Sequence, residues 1–194
     1  MLKVAETPTA LPPMPDLTSQ QWKQLEKGDM VKRHEKYTDS DGHSAGRGVA
    51  YIIANKPHTS VWEQLMKFDR YHEFYPMVKK CEVYKEQGNE IWVQFNIKVP
   101  LMKIRYHIWH EFFPEESRLI WEMDQSKENA YKNTTGHWIV WPMENGKSLL
   151  GYTAELESGK PIPKFIEDMI ADQGLAKVME SIKKRVESGG KYKR

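Results

Sequence analysis

The chain of 194 residues has a single cysteine, Cys81, so an internal disulfide framework is excluded. It has no surplus of charge: 29 basic side chains against 27 acidic ones leave a formal net charge of +2. That balance gives no strong field to draw in nucleic acid or acidic substrates. No apolar run approaches the roughly 18–20 residues needed to span a bilayer. The first fifteen residues carry Pro8, Pro12, Pro13 and Pro15 and no apolar signal core. The expected compartment is therefore the cytoplasm, with a periplasmic protein whose leader was removed as the alternative. There is no Gly-x-Ser-x-Gly elbow, and Cys81 has no local nucleophile signature.

Several fragments resemble sites and read better as structure. Asn145-Gly146-Lys147-Ser148 ends like a phosphate loop, but the first glycine's place holds Trp141, so a hairpin turn is expected. Thr38-Asp39-Ser40-Asp41-Gly42 resembles the start of a calcium loop, yet Ala50 stands where a bidentate Glu is needed. His107 and His110 sit at odd spacing on an expected strand, hence on opposite faces, and no metal is expected. Asn133-Thr134-Thr135 fits a glycosylation acceptor and is read as chance in the absence of a secretory signal. The last nineteen residues hold seven basic and two acidic side chains. A solvated helix end is the simpler reading, and transient contact with a membrane surface the other.

What is abundant is aromatic: seven Trp, nine Tyr and six Phe. Period-two patterns predict strands over 30–37, 47–54, 78–85, 91–99, 104–112, 119–124, 131–141 and 148–157. The sheet is expected to be curved and antiparallel with about seven strands: a pair, then a meander of five. Two short helices, 58–68 and 71–75, fall between the second and third strands. From Pro161 to Glu187 apolar residues recur at i, i+3, i+4 and i+7, which predicts one long amphipathic helix. Gly174 in its middle costs about 1 kcal/mol relative to Ala. The class is α+β, and a sheet curved around one thin helix leaves room for a cavity between them. Whether that interior is hollow or filled stays open on pattern alone. The domain plan is 1–27 as an arm with a short helix, 28–187 as the sheet-and-helix domain, and 188–194 as a flexible tail.

The run from Gly28 to Val186 resembles the START-like helix-grip superfamily (SRPBCC). Within it the chain is similar to the coenzyme Q-binding and polyketide cyclase/dehydrase branch. The residues that carry this are Gly48-Val49-Ala50, Pro57 with Val61-Trp62, and the segment Phe68 to Val78, which matches that branch's Asp-x-x-Tyr-x-x-Phe-x-Pro. Gly136-His137-Trp138, the Thr153 strand and Pro163 follow. The resemblance implies a helix-grip fold that binds lipids, quinones, sterols or polyketides. It transfers no catalytic motif and no cofactor. The expected ligand-facing residues are Phe74, Phe95, Ile97, Tyr106, Ile108, His110, Trp121, Met123, Trp138 and Tyr152 from the body of the domain. Phe165, Ile166, Met169 and Ile170 are expected from the last helix. The function expected is a binding or carrier protein for a hydrophobic small molecule. A polyketide cyclase or aromatase using Tyr106 and His110 is the alternative. The oligomeric state is not legible.

Overall fold

The computed structural model describes residues 4–5, 7–99, 102–159 and 174–194. Its centre is one antiparallel sheet of eight strands. In chain order they are β1 (Val31–Thr38), β2 (Ser44–Ala54), β3 (Val78–Gln87), β4 (Glu90–Val99), β5 (Met102–Phe113), β6 (Arg118–Met123), β7 (Asn133–Met143) and β8 (Lys147–Glu157). The order across the sheet is β1-β2-β8-β7-β6-β5-β4-β3. The strand count is thus eight where about seven were expected, because all six strand-like stretches after residue 77 pair with a neighbour. β2 pairs directly with β8, so the first hairpin is closed onto the end of the meander, with Ala50 opposite Tyr152.

Helix α1 (Ser19–Glu26) is started by a capping box: Thr18 accepts from the Gln21 amide, and the Gln21 side chain accepts from the Thr18 amide. Helices α2 (His58–Leu65) and α3 (Tyr71–Phe74) follow β2 as expected. Helix α4 (Leu175–Glu187) falls within the long C-terminal helix expected over 161–187. Residues 160–173 lie outside the described residues. Where a phosphate loop was excluded, a hairpin turn joins β7 to β8, with Asn145 at φ 58° and Gly146 at φ 67°.

Both faces of the sheet bury apolar side chains. On the convex face Leu17, Leu25, Val31, Ile53, Trp141 and Leu149 form a small core under α1 and the arm before it. The arm's Pro12 carbonyl accepts from Trp141 Nε1 at 2.8 Å. Gly151 is required there, because a Cβ would meet the Trp141 ring at 2.7 Å. The larger core lies on the concave face, against α2, α3 and α4.

The residues expected as a flexible tail are docked in the structure. The Arg194 amide donates to the Glu73 carbonyl at 3.1 Å, and Arg185 Nη1 donates to the Tyr192 carbonyl at 2.8 Å. Arg185 itself is buried and ion-paired with Glu73 at 2.9 Å. Two arginines of the basic C-terminal stretch, Arg185 and Arg194, are therefore committed to internal partners. Among the described residues no helix is long and apolar enough to cross a membrane.

Candidate functional site

The concave face has a filled end and a hollow end. At the filled end Trp62 of α2 meets Phe112 of β5 with ring centroids 4.8 Å apart. Leu119, Val140, Leu150, Met179 and Ile182 close around them, each at most 1% exposed. The buried indole N–H of Trp62 and hydroxyl of Ser117 are both satisfied there. Trp62 Nε1 donates to Ser117 Oγ at 2.7 Å, and that hydroxyl donates to the Val140 carbonyl at 2.7 Å.

The hollow end is a cavity of about 370 Å³. Two aromatic tiers form its walls. On β4 and β5 the Phe95 and Tyr106 rings stack at 5.3 Å, and Tyr131 lies 6.3 Å from Tyr106. On β6 to β8 Trp121 stacks on Tyr152 at 5.3 Å, and Trp138 lies 4.4 Å from Tyr152. This second tier depends on a glycine: a Cβ at Gly136 would overlap the Trp121 ring at 2.2 Å. Tyr71 and Tyr75 line the space from α3 and the turn after it, and Gly174, Leu175 and Val178 from the start of α4. The charged lining residues, Glu35, Lys36, Arg47, Glu155 and Lys177, belong to β1, β2, β8 and α4, where the first hairpin overhangs the cavity. There the Tyr37 hydroxyl donates to the Glu155 carboxylate, which pushes the phenol up to about 12.

Along β5 the concave positions run Ile104, Tyr106, Ile108, His110 and Phe112, from the cavity into the filled end. His110 stands at the boundary. It is 5% exposed, with ring centroids 4.6 Å from Phe68 and 6.2 Å from Phe95. Its Nδ1 is buried and has no hydrogen-bond partner. Burial among these rings depresses the imidazole to about 3, against opposing hydrogen bonding to the Ile91 and Ile108 backbone. The ring is therefore neutral at physiological pH. Burial also raises the phenols of Tyr71, Tyr75, Tyr106 and Tyr152 well above their usual range, which keeps them protonated donors. The Tyr71 hydroxyl is used internally, on the Leu65 carbonyl at 2.5 Å. Among the described residues, the hydroxyls of Tyr75, Tyr106 and Tyr152 have no partner.

Of the expected ligand-facing residues, Phe95, Ile97, Tyr106, Ile108, His110, Trp121, Trp138 and Tyr152 line the cavity. Phe74 and Met123 do not. Phe74 packs between Tyr71 and Tyr75, with the Arg185 guanidinium 5.2 Å from its ring centre. Met123, opposite Ile108 in the β5–β6 ladder, is buried in the core. Phe165, Ile166, Met169 and Ile170 lie outside the described residues. Sequence reasoning missed Tyr71, Tyr75, Tyr131 and Ile104. The first two are an i, i+4 pair within the quoted Phe68–Val78 segment, a signal that was present and unused.

The remaining candidates separate from the cavity. His107 is on the opposite face from His110, with its amide on Asn129 Oδ1 at 2.8 Å and its ring 3.1 Å from Gln94. Asp39, Asp41 and His43 bring ligand atoms within 4.8 Å of one another at the β1–β2 turn. The Lys132 ammonium already lies 2.6 Å from Asp41 and 3.5 Å from Asp39, so the turn carries its own cation. Cys81 is buried in the core and its thiol is pushed up by burial, the opposite of an activated nucleophile.

No family model matches the chain, and no curated protein matches it. Solved structures do. The chain is similar to the Zhui aromatase/cyclase from a Streptomyces species, with TM-score 0.62 and 14% identity over 81% of this chain and 94% of that one. It is similar to a STAR-related lipid transfer protein from Xanthomonas axonopodis, with TM-score 0.64 and 11% identity over 79% and 98%. It is also similar to a START superfamily protein from Mycobacterium smegmatis, with TM-score 0.61 and 12% identity over 82% and 97%. At these identities the likeness is one of fold. The chain has the START-like helix-grip fold.

Proposed function

We propose that this protein binds and carries a hydrophobic small molecule, of lipid, quinone or polyketide-like character, between the sheet and the C-terminal helix. The observation that supports this most directly is the 370 Å³ cavity between two aromatic tiers. A folded interior packs to crystal-like density, so an unfilled apolar space of this size supports a binding site over loose packing. Its aromatic walls supply affinity through burial, at roughly 25 cal/mol per Å² of apolar surface removed from water. Native mass spectrometry of gently purified protein, with a binding screen of lipids and quinones, tests the reading. A co-purified or screened ligand lost on filling the cavity with Gly48→Leu supports it. An empty protein that binds none of the panel overturns it.

A second reading rests on His110 and the unpartnered phenols lining the same cavity. A neutral imidazole can take a proton from the carbon next to a substrate carbonyl, and protonated phenols can hydrogen-bond the resulting enolate oxygen. That is the chemistry of an aldol cyclisation, in which the new carbon–carbon bond forms between two parts of one chain and water then leaves. Incubation with a poly-β-ketone thioester mimic separates the two readings. Cyclised product formed at the rate seen without protein leaves only the carrier.

A further inference from the structure

The convex face carries a second built contact, away from the cavity. Proline fixes its own φ near about −65° and pushes the residue before it into the extended region. In Leu11-Pro12-Pro13-Met14-Pro15 that constraint reaches every residue. The segment therefore favours polyproline II geometry, with three residues per turn. Its burial follows that period: Pro12 and Pro15 are half-buried, whereas Leu11 and Met14 are exposed. Pro12 and Pro15 lie against a groove on the sheet. Gly151 is its floor, opposite Tyr51 on β2 and Ile139 on β7. A Cβ at Gly151 would meet the Tyr51 ring at 3.1 Å as well as the Trp141 ring. Tyr51 and Trp141, with ring centroids 6.3 Å apart, form its walls. Proline has no N–H to offer, so a groove that holds it works through flat rings and a donor aimed at its carbonyl. The Trp141 indole supplies that donor, to Pro12.

We propose that this groove is a docking site for a proline-rich segment of another protein, one with two prolines three residues apart, and that the chain's own arm is its resident competitor. The seated arm displays the chemistry the groove accepts. Its fit leaves room for exchange. A cavity of about 180 Å³ remains between the arm and the sheet, lined also by His137 and Thr153, a facing pair on β7 and β8. The arm's larger apolar side chains turn away from it, Leu11 being 37% and Met14 46% exposed. The arm is tied down by the Trp141 bond and by the Ala10 amide, which donates to the Glu115 carbonyl at 2.9 Å. A segment that places an apolar side chain in the remaining space buries surface that the arm leaves open. Tethering gives the arm an effective concentration in the millimolar range, so it screens the groove against weak ligands and yields to tighter ones.

The probe is a fluorescein-labelled peptide of residues 9–16, TALPPMPD, added to the full chain. Its control is the same composition reordered as TAPPPLMD, in which no two prolines stand three apart. Pro12→Ala combined with Pro15→Ala weakens the arm and leaves the groove intact. That double variant should bind the peptide about tenfold more tightly than the unaltered protein does, as removal of a millimolar competitor requires. It should bind the reordered peptide about fivefold more weakly than the first. Adding Trp141→Phe, which keeps a ring and removes the donor, should also weaken binding about fivefold. The unaltered protein gives a readout that depends on no variant. Peptide in millimolar excess should displace the arm, and the Ala10 amide should then lose its protection from hydrogen exchange. The inference is overturned by absence of binding to the double variant at about 1 mM peptide, by equal binding of the reordered peptide, by equal affinity of the double variant and the unaltered protein, or by an Ala10 amide that excess peptide leaves protected. A dimer of the unaltered protein that the double substitution dissociates gives the groove to the arm of a second copy, and overturns it too. None of these outcomes touches the concave cavity, so the carrier reading stands or falls on its own test.

Discussion

The two ends of the concave face are built from the same strands and differ in what their side chains leave behind. At the filled end, aliphatic residues and two rings interlock with α2 and the later half of α4. At the hollow end, larger and flatter side chains stack in pairs along the sheet. Branched aliphatics fill corners, whereas stacked rings make flat walls, and two flat walls facing each other enclose a slot. The filled end is thus where the fold is held, and the hollow end is where surface is kept available.

The sharpest way to break this comparison is to truncate one ring at each end. Phe112→Ala should cost about 3–5 kcal/mol, because the ring is 1% exposed and its neighbours cannot collapse into the space. Urea denaturation reads this. Tyr106→Ala, beside an existing cavity, should cost much less for the same ring size, and an equal loss at both positions would remove the distinction.

The C-terminal clasp adds a charged version of the same test. Arg185 and Glu73 are both largely buried and 2.9 Å apart, and the Arg185 side chain also holds the tail through Tyr192. Hydrogen bonds to Arg70 and then Arg185, against a burial cost, hold Glu73 below the usual carboxylate range. Arg185→Met should destabilise by about 1–2 kcal/mol, since Glu73 loses one of its two arginine partners and keeps Arg70 at 2.8 Å. Glu73→Gln combined with Arg185→Met should recover most of that loss. If the double variant is as unstable as the single one, packing and not charge holds the clasp.

An effect of similar size, in the pH dependence, belongs to the boundary between the ends. His110 is depressed from an ordinary value near 6.5 to about 3. Its contribution to stability is therefore fully present above about pH 6.5 and lost as the pH falls from there toward 3, at up to about 1.4 kcal/mol per unit. Around the ring are Phe68 and Phe95 and the backbone of Ile91 and Ile108, and among the described residues no carboxylate contact offsets the charge. Between pH 7 and pH 5 the protein should lose about 1–2 kcal/mol, and His110→Phe should remove most of that slope. The remainder falls to His137, which is also depressed, chiefly by burial. A slope unchanged in the variant would assign the acid sensitivity elsewhere.

Legibility in the sequence follows the same division. The alternation Ile91, Val93, Phe95, Ile97 reads directly as one face of β4, whereas the start of α1 could be placed only at Asp16 or Thr18, of which the structure uses Thr18. The concave residues of β5 were placed correctly by their period of two. What periodicity could not say is whether a face is covered by a neighbour or left open, because both cases put apolar groups inward. Met123 illustrates this: it alternates correctly with Leu119 and Trp121 and is buried in the core all the same. Phe74 fails for a different reason. Across the four-residue helix and the residue after it, Tyr71, Phe74 and Tyr75 all turn inward, and Phe74 is the one that packs against Arg185, more than a hundred residues away. The docked tail was illegible on the same grounds, since its partners Glu73 and Pro76 are remote in sequence.

The smallest expected change in stability is also the most telling about the cavity. Removing the hydroxyl of Tyr152 or Tyr106 with a Phe substitution takes away an oxygen that has no partner among the described residues. A hydroxyl that earns no hydrogen bond in the folded chain contributes nothing to holding it, so each variant should lie within about 0.5 kcal/mol of the parent or be slightly more stable. At Ser117, whose hydroxyl serves Trp62 and Val140, Ser117→Ala should instead cost about 1–3 kcal/mol for leaving two buried groups unmet. Thermal denaturation of the three variants, side by side, measures the contrast. A stability loss at Tyr152 as large as that at Ser117 would mean the hollow end's polar groups are already satisfied, and the reason to assign them to a ligand would be gone.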